Sequence, residues 1–157
     1  MTTSMRQTTL KDLKNITNMQ ALPSYQQEPL KVHDIMSVEK VRVYENDDIE
    51  SVLNVMFWED LLHTCVFDER NNLVGILHFN DALSIQNKNT PIKQVMKKNF
   101  EIIYGGLSAE VGKKALIEND DHCLPVFENQ KIIGILNIEN VIEYSQYLDS
   151  NIEKIYA

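Results

Sequence analysis

Apolar positions along the chain change their period in a fixed order, and that order occurs twice. Ile49, Val52, Leu53 and Met56 fall three or four residues apart, directly after Asp47-Asp48. This spacing predicts an amphipathic helix with an acidic start. Ahead of it, 41–44 reads as a short extended segment. Two apolar runs follow, 63–67 and 73–77, split by the polar turn Asp68-Glu69-Arg70-Asn71-Asn72. They predict two strands, and a helical pattern over 79–86 closes the set. The order strand–helix–strand–strand–helix then returns. An extended segment at 101–104 precedes a weaker helical face of Val111, Ala115 and Leu116, and a helix over 138–148 ends it.

The two sets align residue by residue. Val32-His33-Asp34-Ile35-Met36 matches Ile92-Lys93-Gln94-Val95-Met96, and Val66-Phe67-Asp68 matches Val126-Phe127-Glu128, both at an offset of 60. Leu73-Val74-Gly75-Ile76-Leu77 matches Ile132-Ile133-Gly134-Ile135-Leu136 at 59, the missing residue falling in the turn. A repeat of this kind marks a tandem duplication. The fold class is therefore α/β of the α+β type, with repeats at 30–89 and 90–148. A unit of about 55 residues is marginal alone, so the two are expected to pack sheet to sheet with pseudo-two-fold symmetry. Residues 1–29 read as an N-terminal helix and linker, with Leu10, Leu13, Ile16 and Met19 recurring every three residues before Pro23. That helix either lies on the repeats or serves as a hinge to another domain or subunit. Residues 149–157 read as a C-terminal tail.

Composition narrows the function classes. The chain has 157 residues and a net charge of −8; residues 1–30 carry +1, which leaves −9 on the rest. An acidic body whose only arginines are Arg42 and Arg70 is a poor partner for nucleic acid or anionic lipid. The longest apolar runs, 73–77 and 132–136, fall far short of the roughly 20 residues of a membrane span, and residues 1–14 lack an apolar signal core. Two cysteines, Cys65 and Cys123, make no disulfide framework and fit a reducing cytoplasm. Membrane insertion and export are not expected.

Asp34-Ile35-Met36, a Pro125-Val126-Phe127-Glu128 type of strand, and Leu73-Val74-Gly75-Ile76-Leu77 leading to Asn80-Asp81 together resemble a cystathionine-β-synthase-type (CBS) domain. Two in tandem resemble the CBS pair called a Bateman module, over about residues 30 to 148. The resemblance implies a regulatory module rather than an enzyme. Such modules bind adenosine-containing ligands (AMP, ADP, ATP, S-adenosylmethionine, sometimes cyclic dinucleotides) in the cleft between repeats, and control a partner protein that the sequence does not name. It implies no obligatory cofactor, and homodimers as the usual assembly.

The family's ligand motif, Gly-apolar-x-Thr/Ser-x-x-Asp, is kept in part. The first repeat reads Gly75-Ile76-Leu77-His78-Phe79-Asn80-Asp81, so the resemblance makes Asp81 the ribose acceptor and His78 a substitute for the hydroxyl. An ionised carboxylate can accept from two adjacent hydroxyls, although an acid here also suits a helix start. His78 either meets phosphate or fills the pocket. The second repeat reads Gly134-Ile135-Leu136-Asn137-Ile138-Glu139-Asn140, with Asn137 for the hydroxyl and Asn140 for the acid, a weaker acceptor. The family's His-Arg-Leu-Pro-Val strand start corresponds to His122-Cys123-Leu124-Pro125-Val126, and in the first repeat His63 stands at the Arg position, followed by Thr64. The resemblance further implies that Val41 with its neighbours lines the adenine pocket, and Arg42, beside the first extended segment, is a candidate to add positive charge. One or two phosphates, or a neutral adenosyl ligand, suit this set. The losses at His78, Asn137 and Asn140 also admit an alternative, a structural dimerisation module with empty sites.

Other candidate chemistry falls away. His63, Cys65, His122 and Cys123 lack the paired spacing of structural zinc sites, and adjacent strand residues point to opposite faces. Gly105-Gly106 is followed by no Gly-Lys-Ser/Thr, and no nucleophile elbow or metalloprotease motif appears.

Overall fold

The computed structural model describes residues 29–156, so the expected helix over residues 10–19 lies outside the described residues. In chain order the elements are α1 (Val32–Ile35), β1 (Ser37–Val38), β2 (Val43–Tyr44), α2 (Ile49–Trp58), β3 (His63–Phe67), β4 (Leu73–His78) and α3 (Phe79–Leu83). A 3₁₀ turn (Ile92–Gln94) comes next, then β5 (Ile103–Tyr104), α4 (Ala109–Glu118), β6 (Cys123–Glu128), β7 (Lys131–Asn137) and α5 (Ile138–Tyr156). They form two compact units. One is Glu39–Glu101; the other joins the described residues up to Val38 with those from Ile102 onward.

In the unit Glu39–Glu101 the sheet order is β2-β3-β4, with β2 parallel to β3 and β3 antiparallel to β4. Helix α2 begins where the pattern predicts. The Asp48 carboxylate accepts from the Ser51 N–H at 2.8 Å and the Ser51 hydroxyl at 3.0 Å, closing two donors at the helix start. These bonds hold the Asp48 carboxyl below its usual range. Ile49, Val52 and Met56 pack on Val43, Val66 and Leu77 from one sheet face, with Ala82 and Ile92 completing the core. Helix α3 stops at Leu83, short of the expected 86. The Ser84 hydroxyl donates to the Asp81 carbonyl at 2.8 Å, and the Lys88 ammonium to the Leu83 carbonyl at 2.8 Å, so the chain turns away. It returns to bond Ile76 and Lys97 backbone to backbone, at 3.0 and 2.8 Å. Gly75 makes room for that close approach, since a Cβ there would lie 2.6 Å from the Met96 sulfur.

The second unit has the sheet order β1-β7-β6-β5 and repeats this device. Ser37 and Val38 pair antiparallel with Ile135 and Gly134. A Cβ on Gly134 would collide with the Ser37 carbonyl and lie 3.0 Å from the Met36 sulfur. Each stretch ending in methionine thus closes the edge of a sheet beside a glycine. The stretch at 32–38 does so on the strands of the second sequence repeat, and 92–97 on the strands of the first. Helix α1 is tied in by bonds from the Val32 N–H to the Leu107 carbonyl (2.8 Å) and from the His33 N–H to the Gly105 carbonyl (3.0 Å). His33 Nδ1 also lies 2.7 Å from Glu128 Oε1. Gly112 in α4 makes space for Val32. Helix α5 runs well past position 148, to Tyr156. Val141, Tyr144 and Tyr147, three residues apart, hold it in the core with Leu124, Val126 and Leu136. The Tyr144 hydroxyl donates to Glu110 at 2.9 Å, and burial together with that bond pushes its phenol up.

Candidate ligand-binding site

Strand alternation sorts the sequence-predicted residues of the first unit by face. Val66 and Leu77 point to the helices, and Thr64 pairs with Leu77. Thr64 is therefore buried on the helix side, its hydroxyl 3.4 Å from the Cys65 carbonyl. His63 and Cys65 take the opposite face, across from His78 and Ile76. The His63 and His78 rings meet edge to face, centroids 4.5 Å apart and planes at 81°. Both side chains are half-buried. His78 stands at the N-terminal boundary of α3 without capping it through its side chain. Asn80 and Asp81 follow in the first turn, both exposed. The Asp81 carboxylate has no hydrogen-bond partner among the described residues, although its carbonyl is bonded to Ser84.

Val41 is half-buried just ahead of β2. Arg42 is already committed within its own unit. It donates from Nε and Nη2 to the two oxygens of Glu39, at 2.8 and 2.9 Å, and its guanidinium lies 3.9 Å over the centre of the Phe67 ring. The bond to Glu39 holds its pKa above the ordinary value. A bidentate partner and a stacked aromatic both favour this arrangement. Any anion must therefore compete with Glu39 for Arg42.

The residues of the second repeat stand in the other unit and behave differently. Asn137 and Asn140 cap α5 reciprocally. The Asn137 N–H donates to Asn140 Oδ1 at 2.9 Å and the Asn140 N–H to Asn137 Oδ1 at 3.0 Å, while Asn140 Nδ2 donates to the Ser37 hydroxyl at 3.0 Å. This is a capping box built from two amides. Asn140 is buried, in contrast to the exposed Asp81 at the corresponding position of the first repeat. His122 is exposed, with a left-handed backbone (φ 53°). Cys123 pairs with Asn137 at the register that His63 and His78 occupy in the first unit.

Burial pushes the Cys123 thiol up to about 12, with the Asp121 charge adding to the shift. The stability this contributes is complete below the ordinary thiol value of about 8.5 and is lost as pH rises through the raised one. Cys123 is accordingly expected to resist alkylation at about pH 8 in the folded protein and to react within minutes in urea, read by mass spectrometry of its peptide. Labelling at equal rates in both states would contradict the burial.

Sequence reasoning missed two partners. Glu39, three residues before Arg42, is visible as a charge pair of opposite sign. Ser37 lies 103 positions from Asn140, and no local pattern announces it.

With this geometry in hand, the comparisons with known proteins are decisive for the family. A family model for the CBS domain matches residues 32–88 and again 92–147. The chain belongs to the CBS domain family. The inosine-5'-monophosphate dehydrogenase of Methanocaldococcus jannaschii is 24% identical over 127 residues, 74% of this chain, and the chain spans only about a quarter (26%) of that enzyme's length. The structure of CBSX2 in complex with AMP superposes with a TM-score of 0.66 at 20% identity, over 76% of this chain and 98% of that one. The CBS domain pair of protein MJ0100, solved with 5-methylthioadenosine and S-adenosyl-L-methionine, gives 0.67 at 18% identity, over 76% and 98%. These likenesses establish a CBS-pair fold of two sheets, each with its own helices. No helix of the described residues is long and apolar enough to cross a membrane.

Proposed function

We propose that this CBS pair is a non-catalytic regulatory module of the cytoplasm that senses an adenosine-containing ligand through the first repeat and passes the signal to a partner protein. Asp81 accepts hydrogen bonds from the ribose diol, and His78 with His63 approaches the phosphate. The observation that carries this reading is the contrast between Asp81 and Asn140. Asp81 offers an exposed carboxylate that no described residue engages, whereas Asn140 is buried and spends its amide on Asn137 and Ser37. AMP, ADP, ATP and S-adenosylmethionine are the ligands to test, because AMP or adenosyl compounds are bound in related pairs.

A second observation supports homodimerisation, and with it the alternative of a purely structural module. Phe57 and Leu83 on the helices of one unit, and Ile117 and Ile142 at the corresponding positions of the other, are all at least half exposed. Trp58 beside Phe57 is 80% exposed. Apolar helix faces of this kind mark association surfaces.

A thermal-shift panel of AMP, ADP, ATP, S-adenosylmethionine and adenosine tests the reading. A ligand at 100 times its dissociation constant stabilises by about 2.7 kcal/mol, which for a chain of this length raises the melting temperature by roughly 5–10 °C. A shift with at least one adenosyl ligand is expected. A flat panel from a protein that elutes as a dimer would replace the sensor with the interaction module.

A further inference from the structure

We propose that the His63–His78 pair makes the site selective for a phosphate-bearing adenosine nucleotide over a neutral adenosyl compound, by taking up a proton when the phosphate binds. This rests on the reading that Asp81 marks the site, and it adds the charge of the ligand and the source of the complementary charge.

Three observations lead to it. The two histidines are directly opposed in register, on the sheet face away from the helix core, and His78 stands three residues before Asp81, which lies in the first turn of α3. Imidazoles in ring contact resist carrying two charges at once, because like charges at this separation repel strongly in a half-buried setting. A phosphate beside them offsets that repulsion, so an anionic ligand draws protons onto the pair and a neutral ligand does not. Secondly, the fixed charges nearby do not substitute for them. Arg42 is tied to Glu39 in a bidentate bond and stacked on Phe67. Lys97 is exposed at the outer edge of the sheet, where its backbone bridges Ile76. Asp81 is itself acidic, and Cys65, next along the same face of β3, is buried. Thirdly, the second unit lacks the device. Cys123 and Asn137 occupy the equivalent register. Burial keeps the thiol of Cys123 protonated far above neutral pH, and Asn137 is held by Asn140. A proton-coupled anion site is therefore specific to the first repeat.

The sign follows from linkage. A bound phosphate favours the imidazolium, so affinity rises as pH falls through the range in which histidine titrates. Lysine and arginine keep their charge throughout that range, so a pH slope separates the histidines from Lys97 and Arg42. The experiment is calorimetric titration of the full chain with AMP and with adenosine, at about pH 6, 7 and 8, in buffers of different ionisation enthalpy. The same series is run on His63→Asn and His78→Asn. Expected results are an AMP affinity about tenfold higher at the low end of the range than at the high end, a buffer-dependent heat that reports proton uptake, and an adenosine affinity without a pH slope. The phosphate's own second ionisation, near pH ~6, is common to all three proteins, so the comparison isolates the imidazoles. Either substitution should flatten the AMP slope. Proton uptake by the unsubstituted chain stands as evidence even where a variant folds poorly. If AMP and adenosine bind alike at every pH, or the slope survives both substitutions, the selectivity proposal is overturned and the sensor reading stands. If neither compound binds, the sensor reading fails and this proposal fails with it.

Discussion

Valine in place of Gly134 is expected to detach β1 from its sheet and lower the melting temperature by about 10 °C. A Cβ at this position would meet the Ser37 carbonyl, a backbone group that cannot rotate away, and would press on Met36. Overpacking usually costs about 1–3 kcal/mol. The loss of the Ser37–Val38 pairing adds to that, and each kcal/mol is worth roughly 2–4 °C at this size. Gly75→Val is the informative comparison. Its Cβ would meet chiefly the Met96 side chain, which can move, with the Lys97 carbonyl at 3.0 Å. A smaller loss is expected there. Gly106→Ala is the control, since nothing lies within 4 Å of the added atom and its backbone needs no positive φ. Thermal unfolding followed by circular dichroism ranks the three. Equal stability of Gly134→Val and Gly106→Ala would refute the close approach at the sheet edge.

Asp81→Ala and Asn140→Ala are expected to fail in opposite ways. Asp81 is exposed and makes no side-chain bond among the described residues, so its removal should change stability by less than about 0.5 kcal/mol. Hydrogen bonds from the ribose diol to a charged acceptor are worth about 1.5–3 kcal/mol each, so the same substitution should weaken an adenosyl ligand at least tenfold. Asn140→Ala should do the reverse. It leaves the Asn137 N–H and the Ser37 hydroxyl without their partner beneath the start of α5. That costs about 2 kcal/mol, or roughly 4–8 °C, while the ligand-induced shift persists. Melting curves with and without AMP on both variants read the two effects together. Loss of the shift in Asn140→Ala without loss of stability would move the site to the second repeat.

Much of this molecule was legible in the chain. The period of apolar residues located α2, β3, β4 and α4, because each presents a single apolar face to a core and a repeating pattern is how such a face is written. The duplication made each element visible twice. Strands β2 and β5 fall inside the extended segments read at 41–44 and 101–104. Helix α1 and strand β1 escaped, because they have too few residues to show a period and exist through backbone bonds to neighbouring strands and carbonyls. The ends of helices also escaped. Helix α3 stops early through Ser84 and Lys88, and α5 runs on to Tyr156, beyond the stretch that Val141, Tyr144 and Tyr147 bury.

At the candidate site the division is finer. The sequence by itself determined that two CBS repeats are present, and that the first keeps an acid at position 81 where the second has an amide. Glu39 lies within one turn of chain of Arg42, but that the two form a bidentate pair emerged only from the structure. Only the tertiary structure decided which of these groups are available. Asn140 is withdrawn by Ser37, 103 residues away, and Thr64 is turned to the helix side by strand register. His63 and His78 become one unit because an antiparallel ladder sets them opposite each other. The physical reason is range: periodicity and local charge pairs act over a few residues, whereas register, burial and hydrogen-bond closure are settled between segments that only folding brings into contact.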